Sequence, residues 1–250
     1  MVCTPPKDTH LFPPRPLGLA LERASSLRTP ADVPRTPASR LVLASASPAR
    51  LATLRAAGIS PEVIVSGLDE SKVSLQDPAA LATELATLKA RAVGRGVRDG
   101  LVIGCDSVLD FEGANHGKPH AAQEAAVLWR AMRGRSGVLH TGHCVIDTRS
   151  GREAARSSAT VVHFAQLSDR EVDAYVATGE PLRVAGAFTL DGLGGAFVTG
   201  IEGDPHSVVG ISLPLLRVMF AGLGVEWTDL WERFPQSPPT SETGRGPLRG

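Results

Sequence analysis

Residues 41–58 read Leu41-Val42-Leu43-Ala44-Ser45-Ala46-Ser47-Pro48-Ala49-Arg50-Leu51-Ala52-Thr53-Leu54-Arg55-Ala56-Ala57-Gly58, and this stretch decides the fold class. The apolar run from Leu41 to Ala44 predicts a short buried strand, and residues 49–57 predict a helix. The ends carry specific chemistry. Ser47 suits the N-cap, where its hydroxyl accepts an orphan N–H, and Pro48 suits the first helical position, which needs no N–H. Gly58 suits the C-terminal cap. A strand that hands directly to a helix is an α/β element, and it turns the free N–H groups and positive dipole end of the helix toward the joining loop. Such an end binds anions. Ser45 and Ser47 would add hydroxyl donors there, and Arg50 a charge-assisted fork matched to phosphate. Taken alone, the segment equally suits a plain helix cap with a solvated Arg50.

The alternation continues outward. Residues 62–66 read as a second strand, and 79–93 as a helix with Leu81, Leu85, Leu88 and Ala92 in one apolar stripe and Lys89 beside it. Residues 101–105 form a short buried strand ending at Asp106, with 107–111 running on toward a Gly-rich turn. Residues 121–132 read as helix, and 138–147 and 159–167 as strands. Ser168 with Glu171 is a capping box that opens a helix to Ala177, ended by Gly179. Residues 196–201 read as a strand and 213–221 as a last helix. No internal repeat is visible.

Composition narrows the field. The chain has 250 residues, with 26 basic and 26 acidic side chains and 42% apolar content. Zero net charge gives no electrostatic reason to expect a nucleic-acid or membrane-surface binder, so any phosphate is met locally. No apolar stretch is long enough to cross a bilayer. Prolines near the amino terminus stand where a secretory signal would need an apolar core, so export is not expected. Cys3, Cys105 and Cys144 lack the spacing of a disulfide framework or zinc site; reduced thiols in a cytoplasm are the plain reading. Eight of the 19 prolines fall in residues 1–40 and four between Pro235 and Pro247. Residues 1–39 and 235–250 are therefore expected to be disordered extensions of a domain spanning 40–234.

Several side chains could carry chemistry. Asp106 at the carboxyl end of an apolar strand lies where open α/β sheets place ligand crevices, and could hold a divalent metal or accept a proton from water. The same Asp also suits a local turn. Asp69-Glu70 offers a second carboxylate. Gly117-Lys118-Pro119 lacks the Walker spacing, yet Lys118 could present an ammonium to phosphate, as could Lys89. A lone Lys in either place otherwise reads as solvated. Cys105 in its apolar strand reads as a buried structural thiol. His140 and His143 fall on opposite sides of an extended segment, against a shared metal. The run 186–195, with Asp191 inside it, reads as a tight loop that brings backbone close to a ligand or simply turns the chain.

Taken in order, these segments resemble the Maf family of nucleoside triphosphate pyrophosphatases across nearly all of residues 41–221. The resemblance rests on Ser45 to Arg50, Asp69-Glu70, Lys89-Ala90, Gly104-Cys105-Asp106-Ser107 and Gly117-Lys118-Pro119. It continues through Gly179-Glu180-Pro181-Leu182, Ala185-Gly186-Ala187-Phe188 and Val209-Gly210-Ile211-Ser212-Leu213-Pro214. It implies an α/β fold of the Maf and ITPase-like kind, with a curved mixed sheet flanked by helices and two lobes around a central cleft. It implies a cytoplasmic homodimer that splits nucleoside triphosphates into monophosphate and pyrophosphate with Mg2+ or Mn2+. In this resemblance Asp106 is the base, Glu70 and Asp106 lie at the metal, and Ser45, Arg50, Lys89 and Lys118 meet the phosphates, to which the helix-end reading adds Ser47. Two positions depart from the family pattern: Ala49 replaces the first Arg of an Arg pair, and Asp191 stands where some members carry Gln, which bears on base preference. The alternative is a nucleotide-binding regulator of septum formation; a phosphatase of another fold, releasing orthophosphate, is a third reading.

Overall fold

The structure, a computed structural model, describes residues 40–231. The two expected extensions, 1–39 and 235–250, lie outside the described residues. The chain runs β1 (Arg40–Leu43), α1 (Pro48–Ala56), β2 (Glu62–Val63), α2 (Pro78–Gly94), β3 (Gly100–Phe111), β4 (Ala114–His116), α3 (Ala122–Met132), β5 (Ser136–Asp147), β6 (Arg152–Phe164), α4 (Asp169–Ala177), β7 (Val198–Glu202), α5 (Pro205–Val209) and α6 (Leu213–Gly222). Short 3-10 turns join several of these elements. The seven strands make one mixed sheet in the order β2-β1-β3-β5-β6-β7, with β4 paired to β3 off that path. The pairs β2·β1 and β1·β3 are parallel and the rest antiparallel.

The local signals hold. Ser47 caps α1 through its hydroxyl, Pro48 opens it, and Gly58 follows with φ +78°. The capping box of Ser168 and Glu171 starts α4. Three expectations change. The second strand is two residues long, because its partner β1 ends at Leu43, opposite Val63. The strand expected at 159–167 begins at Arg152, since pairing with β5 imposes extension on an exposed stretch of low β propensity. Asp106 does not end a strand: β3 is 12 residues long and runs on from Asp106 to Phe111, because β5 pairs it from Leu101 to Asp110.

The long β3 spans two cores. Its first half packs Leu101, Ile103 and Cys105 with Leu43, Leu54 and Phe220 on one face. On the other face Val102 packs with Ala86, Ala90 and Val93 of α2. Its second half sends Leu109 and Phe111 into a separate cluster with Trp129, Phe164, Tyr175 and Phe188. Between them lie Asp106 and Ser107. β5 occupies one edge of β3, so β1 and β4 share the other. β1 stops beside Ile103 and β4 begins at Leu109, which leaves a gap in that edge with Asp106 at its centre.

Candidate active site

Side chains alternate along a strand, so Asp106 shares the face of Val102 and Gly104, the face covered by α2. What lets α2 come close enough is a seam of small residues. A Cβ on Gly104 would lie 2.1 Å from the Ala86 carbonyl oxygen, and one on Gly142 of β5 would lie 2.2 Å from the Ala82 carbonyl. Pressed against the sheet, α2 brings Lys89 over Asp106. The Lys89 Nζ donates to Asp106 Oδ1 at 2.5 Å and pairs with Glu70 Oε1 at 2.7 Å. Glu70 arrives on a 3-10 turn, Glu70–Lys72, which Asp69 caps by accepting from the Ser71 amide at 3.3 Å and the Ser71 hydroxyl at 2.6 Å.

Lys89 and Asp106 are each 8% exposed, whereas Glu70 opens to solvent. Burying such an ion pair gains little stability on balance, because desolvation offsets the attraction. Its chemistry is more informative. Two carboxylates against one ammonium leave an excess negative charge, Asp106 Oδ2 is left to accept, and one of the three Lys89 N–H groups remains to donate.

On the other face Arg50 closes the opened edge of β3. Its Nη1 donates to the Cys105 carbonyl at 2.8 Å, an acceptor that β1 would have taken had it run on, and to Ser45 Oγ at 3.0 Å. Its Nε donates to the Gly210 carbonyl at 2.8 Å and its Nη2 to Ser107 Oγ at 3.4 Å. Arg50 therefore sews three distant segments together rather than standing free. Ser45 Oγ also accepts from the Ser47 amide at 3.2 Å, and Ser47 Oγ from the Arg50 amide at 3.4 Å. Both hydroxyls act here as acceptors and keep their hydrogens for an anion at the start of α1.

Beneath this lies a polar floor absent from the sequence reading. Ser107 Oγ meets Thr141 Oγ1 at 3.1 Å, Thr141 Oγ1 donates to the Ser207 carbonyl at 2.8 Å, and Ser207 Oγ bonds Ser158 Oγ at 2.7 Å. His143, fully buried, accepts from the Ser212 amide through Nε2 at 2.8 Å. Burial and the nearby Arg50 charge push its imidazole down to about 3, so it is neutral. Burial likewise pushes the Cys105 thiol up to about 12, in keeping with a structural thiol. The alternation of Thr141, His143 and Val145 with Gly142 on β5 was the available signal for this floor, and apolar patterning hides it.

The remaining candidates sit apart from the triad. Lys118 is exposed, in a turn held by the Gly186 amide donating to the Gly117 carbonyl at 3.0 Å. Asp191 is exposed on the following Gly-rich loop, with no side-chain partner among the described residues. The structure thus gathers Ser45, Ser47, Arg50, Glu70, Lys89 and Asp106 around one gap, and places Lys118 and Asp191 beside the second core.

These features define an α/β protein whose sheet edge brings a helix N-terminus together with a pair of carboxylates. A family model described as Maf-like protein matches residues 40–223, and the chain belongs to that family. It is 57% identical over 213 residues to a protein of Salinispora tropica named nucleoside triphosphate pyrophosphatase, covering 83% of this chain and 94% of that protein. A protein of the same name from Streptomyces coelicolor is 57% identical over 197 residues, covering 78% and 96%. Another of that name from Gloeothece citriformis is 48% identical over 191 residues, covering 76% and 97%. Among the described residues no helix is long and apolar enough to cross a membrane.

Proposed function

We propose that the chain is a nucleoside triphosphate pyrophosphatase, releasing a nucleoside monophosphate and pyrophosphate by attack of water on the α phosphorus. The observation that carries the reading is the Glu70–Lys89–Asp106 triad, set in the edge gap beside the start of α1. The printed names of the relatives support it over a purely regulatory role.

The α1 N-terminus and the hydroxyls of Ser45 and Ser47 hold anionic oxygens, and Arg50 fixes these groups while adding a nearby positive charge. The spare N–H of Lys89 and the exposed ammonium of Lys118 neutralise further oxygens. Asp106 accepts the proton of an in-line water through Oδ2. The water oxygen bonds to the α phosphorus, and the bond to the bridging oxygen of the departing pyrophosphate breaks. No covalent intermediate with the protein is needed.

The donor set suits a divalent cation. A polyanion meets excess negative charge at the triad unless a counter-charge accompanies it, and Mg2+ typically takes one or two carboxylates with substrate phosphates completing its shell. Glu70 and Asp106 would hold Mg2+ or Mn2+, which would supply neutralisation of the phosphate oxygens. Among the described residues no group of three or more His, Cys, Asp or Glu forms a larger cage. A homodimer and a cytoplasmic setting belong to the same reading; the free thiols of Cys105 and Cys144 suit a reducing compartment.

The test is a panel of standard and modified triphosphates, with Mg2+ or Mn2+, in which both products are identified. Monophosphate plus pyrophosphate is expected, with turnover abolished in excess EDTA. Orthophosphate release would point to a phosphatase, no turnover to the regulator, and full activity in EDTA would remove the cation.

A further inference from the structure

Glu70 reaches the triad on a stretch of chain with little else to fix it. No residue from Ser66 to Gln76 is buried. The bonds of Ser66 to Leu68, of Asp69 to Ser71 and Lys72, and of the 3-10 turn are all local to this stretch. To the rest of the described chain it makes three polar contacts: the pair of Glu70 with Lys89, and two bonds from a single side chain, Asn115. The Asn115 Nδ2 donates to the Leu75 carbonyl at 3.0 Å and to the Gln76 carbonyl at 3.1 Å. Both partners are acceptors, so the amide nitrogen must face them, and both of its N–H groups are used there.

Asn115 stands on a firm base. It pairs with Asp110 across the β3–β4 hairpin, whose turn is set by Glu112 at φ +55° and Gly113 at φ +79° and closed by the Gly113 amide donating to Asp110 Oδ1 at 3.0 Å. Positive φ at both central residues is what a tight hairpin needs. Strand β3 carries Asp106 four residues before Asp110, and β4 leads into Lys118 three residues after Asn115. The Asn115 amide therefore joins the segment that delivers Glu70 to the same hairpin whose strands carry Asp106 and lead to Lys118. Its grip falls directly before Asp77, which caps α2 by accepting from the Ala80 amide at 2.6 Å. The direction in which the chain leaves Glu70 for the helix of Lys89 is thus set from both sides.

We infer that Asn115 is a positioning residue that fastens the Glu70 segment to the β3–β4 hairpin and so keeps the Glu70 carboxylate at Lys89 for turnover. The inference rests on the pyrophosphatase reading, in which Glu70 serves hydrolysis. Its test compares wild type with Asn115→Leu, which keeps the bulk and loses both donors, and Asn115→Gln, which keeps the donors on a longer arm. For Asn115→Leu, kcat on nucleoside triphosphates should fall about tenfold or more, with an unchanged circular dichroism spectrum. Trypsin should cut after Lys72, whose side chain is 80% exposed, several times faster than in wild type, because the segment opens more often. Asn115→Gln should recover part of both effects. In a Glu70→Gln background, Asn115→Leu should lower kcat by less than about twofold, since residues that act through one group do not add. An unchanged kcat, an unchanged rate of cleavage after Lys72, or a full repeat of the loss in the Glu70→Gln background would overturn the inference. With an active wild type, any of these sinks the inference alone. A wild type inert toward all triphosphates sinks the pyrophosphatase reading, and the cleavage rates then still decide whether Asn115 fastens the segment.

Discussion

The two ends of β3 are built from different materials. At the Gly104 end, small residues do the positioning: Gly104, Gly142, Ala82, Ala86 and Ala90 let backbone meet backbone, and the precision of that contact places Lys89 on Asp106. At the other end, rings do the work. Trp129 stands edge-on to Phe164, Tyr175 and Phe197 with centroids 5.6, 5.5 and 6.0 Å away, and its indole N–H holds the Ala187 carbonyl at 2.7 Å. The first arrangement has almost no freedom to adjust, as charge chemistry demands. The second supports an irregular 3-10 and glycine-rich segment that backbone contacts alone could not hold.

Three experiments probe that contrast, in order of expected effect. Asp106→Asn removes the base while keeping the shape, so kcat should fall by about 10²–10⁴ with an unchanged circular dichroism spectrum; near-normal pyrophosphate release would take Asp106 out of its role. Gly104→Ala drives a methyl group into the Ala86 carbonyl and should destabilise the fold by about 1–3 kcal/mol in urea titrations. Turnover should drop on methyl triphosphate and nucleotides alike, because α2 and Lys89 move. A stable, fully active variant would show that the seam is not what sets the triad.

The effect that is smallest at neutral pH, and grows only in acid, concerns the buried polar floor. The folded pKa of His143 is lowered from 6.5 to about 3, so its contribution to stability is complete above pH 6.5 and is lost as pH falls toward 3. In that window the unfolded chain binds a proton that the folded chain refuses, which gives a slope of up to about 1.4 kcal/mol per pH unit. His143→Gln should flatten the acid side of the stability profile by up to one proton. A residual slope of the same sign is expected from His140, which burial also lowers. Superimposable profiles for wild type and variant would exclude His143 as the source.

What could be read in advance followed from local chemistry. Ser47-Pro48 and Gly58 bound α1, and Ser168 with Glu171 opens α4, because caps are satisfied within a few residues of sequence. The polar strip of β6 from Arg152 to Ser158 escaped notice because only its partner β5 makes it a strand. Site residues were legible as types and not as arrangements. Lys89 read as a solvated lysine when taken alone, and its burial depends on glycines 15 and more residues away on two strands. Arg50 read as a phosphate fork or a solvated side chain, and in the fold its donors go to the Gly210 carbonyl, the Ser45 and Ser107 hydroxyls and the Cys105 carbonyl that the early end of β1 leaves open.

Among the described residues, every hydrogen-bond donor to the Glu180 carboxylate (the Tyr175 and Thr189 hydroxyls and the Leu193 and Gly194 amides) falls between Tyr175 and Gly194, so that carboxylate closes a loop within one contiguous piece of chain. The groups around the edge gap, by contrast, are drawn from residues 45 to 106 and meet only in the finished sheet. A stretch closed on itself keeps its shape with few demands on the strands around it, whereas the groups at the gap depend on the register of every strand that meets there.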